Sequence, residues 1–236
     1  MNVPKLAWFK FGDSYSYDYG IWTERLPDLL GAVRRSDRIH IPGRGDMVEW
    51  LDDYVGHVMI LECAILNTSQ TDNIIRWLQG DGRLIFSHMP QYYYKASMRN
   101  EGEPIRFVQA VGKAYRFMVS FDCEPYKYSV DEINDAVSFP GGSHRLHGKG
   151  NAEAEPVVTV RGSGNIVLTV NGNAIQLNNI SGHVTLDMGR QWAHKDGEAL
   201  NDRMAGRFCK LRPGENIIST TGNVQRVEIV PNWRWL

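Results

Sequence analysis

Apolar and polar side chains alternate strictly between Tyr115 and Glu124. Tyr115, Phe117, Val119, Phe121 and Cys123 fall on one face, and Arg116, Met118, Ser120, Asp122 and Glu124 on the other. A period of two over ten residues predicts a half-buried strand. Lys5–Phe11 and Tyr19–Leu26 read as a strand pair joined by GDSYSYD, with Pro27 stopping the second. DRIHIPGRGD predicts a short strand and then a turn at Pro42-Gly43 and Gly45-Asp46. His57–Leu66 is apolar at both parities, which predicts a strand covered on both faces. Only SQTDNIIRWL (Ser69 to Leu78) has a helical stripe, with Ser69 and Asp72 in capping-box spacing and the GDG at Gly80 to Gly82 as its stop. Tyr92–Arg99 and Pro104–Val111 read as two more strands.

From Lys127 to Asn151 the pattern dissolves into glycine and polar residues, which predicts a linker. Period-two segments resume at Pro156: PVVTVRG, NIVLTV, AIQLNNI, HVTLDM, NIISTT and VQRVEIV. A Gly162-Ser163-Gly164 turn separates the first two, and Asn171-Gly172 predicts a two-residue hairpin turn, where both positions take positive φ. Six to eight short strands with frequent turns predict a sandwich or jelly roll. The domains are therefore 1–128, a β-rich domain with one short helix; 129–150, a linker; and 151–236, a β-sandwich. The fold class is mainly β.

Composition narrows the function. The 236 residues carry 26 basic and 27 acidic side chains, a formal charge of −1, so nothing draws the chain to DNA or anionic lipid. The same balance lets many copies pack closely. Cys63, Cys123 and Cys209 are far apart and lack paired metal-ligand spacing, so they read as buried reduced thiols. No secretory signal or membrane-length apolar run is seen, and folding in a reducing cytoplasm is expected.

No catalytic, cofactor or metal residues are predicted. GxSxG, GxxxxGK[ST] and a helix-opening GxGxxG are absent. Asp52-Asp53, Asp131-Glu132 and Glu153/Glu155 read as solvated loop acids. His144 and His147 lie in a glycine-rich segment, where a solvated linker is the plainer reading than a metal pair. RRSDR is too short for a nucleic-acid stripe and reads as a solvated loop or a polar interface segment. Trp233 and Trp235 share a strand face in NWRWL, either to stack on a sugar, or to plug the end of the sandwich or dock against a neighbour.

Taken in order, SYDYGIW, IHIPGRGD, IIRWLQGDGRLIFSHMPQYYYKA, RFMVSFDCEPYKY, GNAEAEPVVTVRGSGNIVLTVNG, HVTLDM and LRPGENIISTTGNVQRVEIVPNWRWL resemble the distal tail protein of long-tailed (siphovirus-type) bacteriophages and its prophage relatives. The resemblance implies an N-terminal belt domain with one helix that joins a homo-hexameric ring, and a C-terminal galectin-like β-sandwich. It implies a place in the virion at the tail tip, between the major tail (tube) protein and the tail-associated hub protein that serves host adsorption. DNA and the tape-measure protein would pass through the ring without specific binding. The residues with which galectins hold sugar have no counterpart in GHVTLDMGRQW, so sugar binding does not carry over from that likeness. Arg34, Arg35, Arg44 and Asp46, flanking one short strand, are the expected polar residues of the ring contact. The alternative is a carbohydrate-binding module for cell-surface glycans that stacks sugar on Trp233 or Trp235.

Overall fold

A computed structural model describes residues 7–99, 104–110, 112–132 and 134–236, with the side chain of Asp52 left out. The start of the strand expected from Lys5 and the end of the one expected to Val111 lie outside the described residues. The chain is mainly strand, with a single short helix. It divides into two compact units, one up to Lys127 and one from Tyr128 to Trp235.

In the first unit the strands are β1 (Phe9–Phe11), β2 (Ser14–Tyr15), β3 (Trp22–Arg25), β4 (Val33–Ile41), β5 (Gly45–Val55), β6 (His57–Ile65), β7 (Asp81–Phe86), β8 (Tyr92–Met98), β9 (Val108–Gln109) and β10 (Tyr115–Ser129). The helix α1 spans Thr71–Leu78. One sheet runs in the order β2-β1-β7-β8-β10-β6-β3, with β9 also on β10, while β4 and β5 form a two-stranded sheet of their own. The alternation of β10 holds as expected: Phe117, Val119, Phe121 and Cys123 are buried and Met118 is exposed. They meet Met59, Leu61 and Cys63 of β6 across an antiparallel ladder from Tyr115–Ile65 to Cys123–His57. Phe9, Phe11, Leu84, Phe86, Ile74 and Leu78 complete this core. Each such fully buried side chain is worth about 1.5–3 kcal/mol of transfer free energy.

Three expectations give way here. The segments 5–11 and 19–26 do not pair: β1 pairs with β2 and β7, and β3 pairs with β6. A 3-10 turn at Ser16–Tyr19, closed by Gly20 at φ 68°, turns the chain away before β3 begins. The helix is not capped by Ser69. The Asn67 side chain instead accepts from the Ser69 N–H at 3.0 Å and starts a 3-10 turn that runs into α1. Residues four apart then bring Ile74 and Leu78 onto the core. Trp77 stacks on Phe9 and Tyr19, and its indole N–H donates to the Phe11 carbonyl at 2.9 Å. Finally, β6 is not covered on both faces, because Ile60 is 52% exposed.

The second unit contains β11 (Val137–Phe139), β12 (Ser143–Gly148), β13 (Val157–Val170), β14 (Asn173–Asp187), β15 (Trp192–Lys195), β16 (Glu198–Ala199), β17 (Met204–Gly206) and β18 (Gly214–Val230). Its sheet runs β11-β18-β13-β14-β15-β16, with β12 also on β18 and β17 on β14. The segment 129–150 is therefore not all linker. β11 and β12 inside it both hydrogen-bond to β18, and His144 lies on β12, stacked on Phe139 at 4.1 Å.

The six or more short strands expected here are mostly halves of three long bent ones. PVVTVRG and NIVLTV are a single strand, β13, with register shifts between Arg161 and Val167 in place of a turn. In β18 the buried positions change parity from Asn216, Ile218 and Thr220 to Val227 and Ile229. The bend lies at Gly222, with φ 97° and so little room that a Cβ would meet the Asn165 carbonyl at 2.4 Å. Glycine serves here as a kink that curls the sheet over one core, not as a chain reversal. The reversal predicted at Asn171-Gly172 does occur, with φ 51° and 86°. Buried Asn216 ties this end together. Its Oδ1 accepts from Arg212 N–H and Asn171 Nδ2, both at 2.8 Å, and its Nδ2 donates to the Arg212 carbonyl at 2.9 Å.

Candidate functional site

Apolar side chains gather at the surface in two places in the first unit. The first is the β4–β5 hairpin. β4 is exposed along nearly its whole length, and Val33, Ile39, Met47, Val48, Trp50 (59%) and Val55 are all open to solvent. Cross-strand partners share a face. Ile39 stands opposite Met47, and Arg38 and Ser36 opposite Val48 and Trp50, so both faces carry apolar surface. Leu29 and Leu30, just before β4, are also exposed. Tyr54 meets Tyr126 edge-on at 5.9 Å near the base of the hairpin.

All four residues expected in a ring contact lie on this hairpin. Arg34 donates from Nε to the Leu51 carbonyl at 2.8 Å, Arg35 pairs with Asp53 at 3.2 Å, and Asp46 meets His40 Nδ1 at 2.9 Å. Arg44 is in the turn, its N–H donating to the Ile41 carbonyl. The ion pairs are exposed, where such a pair contributes about 1 kcal/mol or less. They tie the two strands of the hairpin together and leave its apolar residues exposed. RRSDR is thus strand, not loop, and Asp53 is on β5, not in a loop.

The second place is the solvent face of the main sheet. Ile60 of β6, Met118 (66% exposed) of β10, Val108 of β9 and Trp22 of β3 are exposed on adjacent strands. Met118, Val108, Ile105 and Arg116 line a cleft of about 600 Å³. A second hollow of about 480 Å³ lies beside Trp22 and Leu66. Arg116 pairs with Glu24 at 3.0 Å and Arg99 with Asp122 at 3.3 Å, so the charges on this face are largely answered within it.

The Trp233 platform is closed. Trp233 is 3% exposed within the core of the second unit, and Trp235 is half-buried against that core. A stacked sugar needs a free ring face, which Trp233 lacks. The plug is therefore the reading that fits. Near these residues Glu155 bonds Arg234, and its backbone carbonyl accepts from Asn232 Nδ2.

Burial pushes the Cys63 and Cys123 thiols up to about 12 and that of Cys209 up to about 11, so at neutral pH they are protonated and poor nucleophiles. Burial, followed by the charge of Lys127, lowers the pKa of His57, whose buried Nε2 has no hydrogen-bond partner among the described residues. Among the described residues no three His, Cys, Asp or Glu side chains are grouped to hold a metal ion.

No protein-family model matches the chain, and no curated protein matches it in sequence. Solved structures do. The SPP1 Dit (gp 19.1) protein, described as a paradigm of the hub adsorption apparatus in phages that infect Gram-positive bacteria, matches with a TM-score of 0.76 at 12% identity, over 98% of this chain and 100% of that one. A chain of the phage P2 baseplate, in its activated conformation with Ca, matches with a TM-score of 0.51 at 9% identity, over 95% and 97%. The chain thus shares, almost from end to end, the fold of SPP1 Dit.

Proposed function

We propose that this chain is a structural protein of a phage tail tip, a distal tail protein whose copies close into a ring at the baseplate hub. The fold likeness to SPP1 Dit over nearly the whole of both chains carries this reading. The exposed apolar surface of the first unit supports it. One copy offers both a projecting donor, the β4–β5 hairpin, and an open acceptor, the sheet face around Ile60 and Met118. Two different patches that meet between copies make a heterologous contact, which closes into a ring when its rotation divides a full turn. The copy number of six, the tail tube above, the hub protein below and the passage of DNA and the tape-measure protein follow from the resemblance. The formal charge of −1 suits a channel that must not hold DNA. The role is scaffolding, not catalysis, and its place is the virion tail tip.

Negative-stain images of the purified protein test this. Closed rings with a central hole are expected. Isolated single copies, seen even with tube and hub proteins present, would end the reading. A glycan-binding module built on Trp233 and Trp235 is less favoured, since burial removes the Trp233 platform.

A further inference from the structure

The β4–β5 hairpin is apolar on both faces, so apolar surface alone would let it seat on a neighbour either way up. Charge separates the two faces. On one, Ser36 stands opposite Trp50 and, on the next rung, Arg38 stands opposite Val48. On the other, Ile39 stands opposite Met47 and, on the next rung, Asp37 stands directly opposite Glu49. Most other charges of the hairpin are answered within it: Arg34 by the Leu51 carbonyl, Arg35 by Asp53 and His40 by Asp46. Arg38, Asp37 and Glu49 make no hydrogen bond or ion pair among the described residues. Like charges facing each other across a ladder destabilise it. The hairpin bears that cost on one face and carries a lone cation on the other.

The open sheet face has one matching feature. Glu62 of β6 is exposed and stands directly opposite Met118 of β10, one rung from the Ile60–Ser120 pair. The charges around it are taken. Arg116 pairs with Glu24 at 3.0 Å and Arg99 with Asp122 at 3.3 Å. Arg25, cross-strand from Glu62, pairs with Asp28 at 3.3 Å. Arg106, which lines the adjoining cleft, also has a partner. Glu62 makes no hydrogen bond or ion pair among the described residues. Each patch is thus a short apolar cluster beside one unanswered charge, and the two charges are opposite.

We propose that the hairpin seats on the neighbouring copy by its Trp50 face, with Trp50 and Val48 on Ile60 and Met118 and with Arg38 held by Glu62. This rests on the ring reading and names the surfaces that meet. A guanidinium and a carboxylate that leave water together each keep a partner, whereas either one buried alone is costly. The reverse seating fails for the same reason. It brings Asp37 and Glu49 onto Glu62, three carboxylates in one dry contact with no cation among them. The acidic rung therefore rejects the wrong face of a two-faced hairpin and stays in water.

Charge exchange in the full-length protein tests the proposal, read by gel filtration with light scattering over a concentration series. Arg38, Asp37, Glu49 and Glu62 are all exposed, so the variants should fold, which a thermal melt checks. Arg38→Glu and Glu62→Arg should each raise the concentration needed for assembly about thirtyfold or more, the effect of leaving a buried charge unpaired. Arg38→Glu combined with Glu62→Arg remakes the pair with its polarity reversed and should recover most of the assembly. If Glu62→Arg does not fold, Glu62→Lys replaces it in both arms. Asp37→Asn with Glu49→Gln should leave assembly unchanged. If the wild-type chain assembles but the exchange recovers nothing, or Arg38→Glu assembles as the wild type does, this contact is overturned while the ring reading stands. Loss of assembly on neutralising Asp37 and Glu49 means that the hairpin seats by its other face, and overturns the contact likewise. A wild-type chain that never assembles removes the ring reading and this contact with it.

Discussion

The two units finish their surfaces differently. Among the described residues, nearly all large hydrophobic side chains that remain exposed belong to the first unit, from Trp22 and Leu29 through Trp50 and Ile60 to Met118. In the second unit Ile217 is the single example. Both units have a dense buried core, so the difference is not one of folding quality. The second unit resolves its hydrophobic pattern within one chain, by curling three long strands over a shared core. The first leaves a hairpin and a sheet face open, and contiguous apolar surface of that kind marks a contact with something else.

The strongest way to break the comparison is to spoil the hairpin. Trp50→Asp with Met47→Asp should abolish assembly outright and leave the melting temperature of the single copy nearly unchanged, since β4 and β5 form no ladder with the main sheet. Light scattering after gel filtration, paired with a thermal melt, checks both halves. The next largest effect is in the cores. Phe121→Ala should cost about 3–5 kcal/mol of stability in the first unit. In the second unit, Asn216→Ala should cost about 2–3 kcal/mol by leaving the Arg212 N–H and other buried groups unpaired. Denaturant titrations followed by unit-specific hydrogen exchange would separate the two.

A smaller effect is expected with pH. The three thiols keep their protons in the fold up to about 11–12 but lose them in the unfolded chain near 9. The folded chain then holds more protons, so stability is fully present below pH 9 and falls as pH rises towards 12. A Cys63→Ala, Cys123→Ala, Cys209→Ala triple variant should show a flatter alkaline limb. In the native protein near pH 8 a thiol reagent should find almost no reactive cysteine.

Much of the fold was legible because its strands obey a simple period. β10 and the Asn171-Gly172 hairpin follow directly from alternation and from positive φ. Other errors share a physical cause. Glycine permits both a reversal and a kink, so Gly162-Ser163-Gly164 reads as a turn where the structure bends one continuous strand, as Gly222 bends another. A strand exposed on both faces has no burial pattern to imprint on its sequence, so DRIHI reads only as a short strand before a turn and RRSDR as a solvated loop or polar interface segment. β6 looked doubly covered because outward Ile60 is apolar for a reason other than the core. Arg34, Arg35, Arg44 and Asp46 fall on one hairpin, while the apolar residues beside them carry no sequence signature that separates them from core.

In the proposed ring, two different patches of the first unit join copy to copy. Sedimentation velocity on mixed variants tests it most directly. Trp50→Asp spoils the hairpin alone and Met118→Asp the sheet face alone, so each variant by itself should run as a 26.8-kDa single copy, in contrast to a wild-type ring of six such chains, about 160 kDa. Mixed together they retain one good contact between them and should form a two-copy species of about 54 kDa, twice the chain mass, that grows no further. Persistence of the full assembly in either variant, or a wild-type chain that stays single at every concentration with tube and hub proteins supplied, would contradict the account.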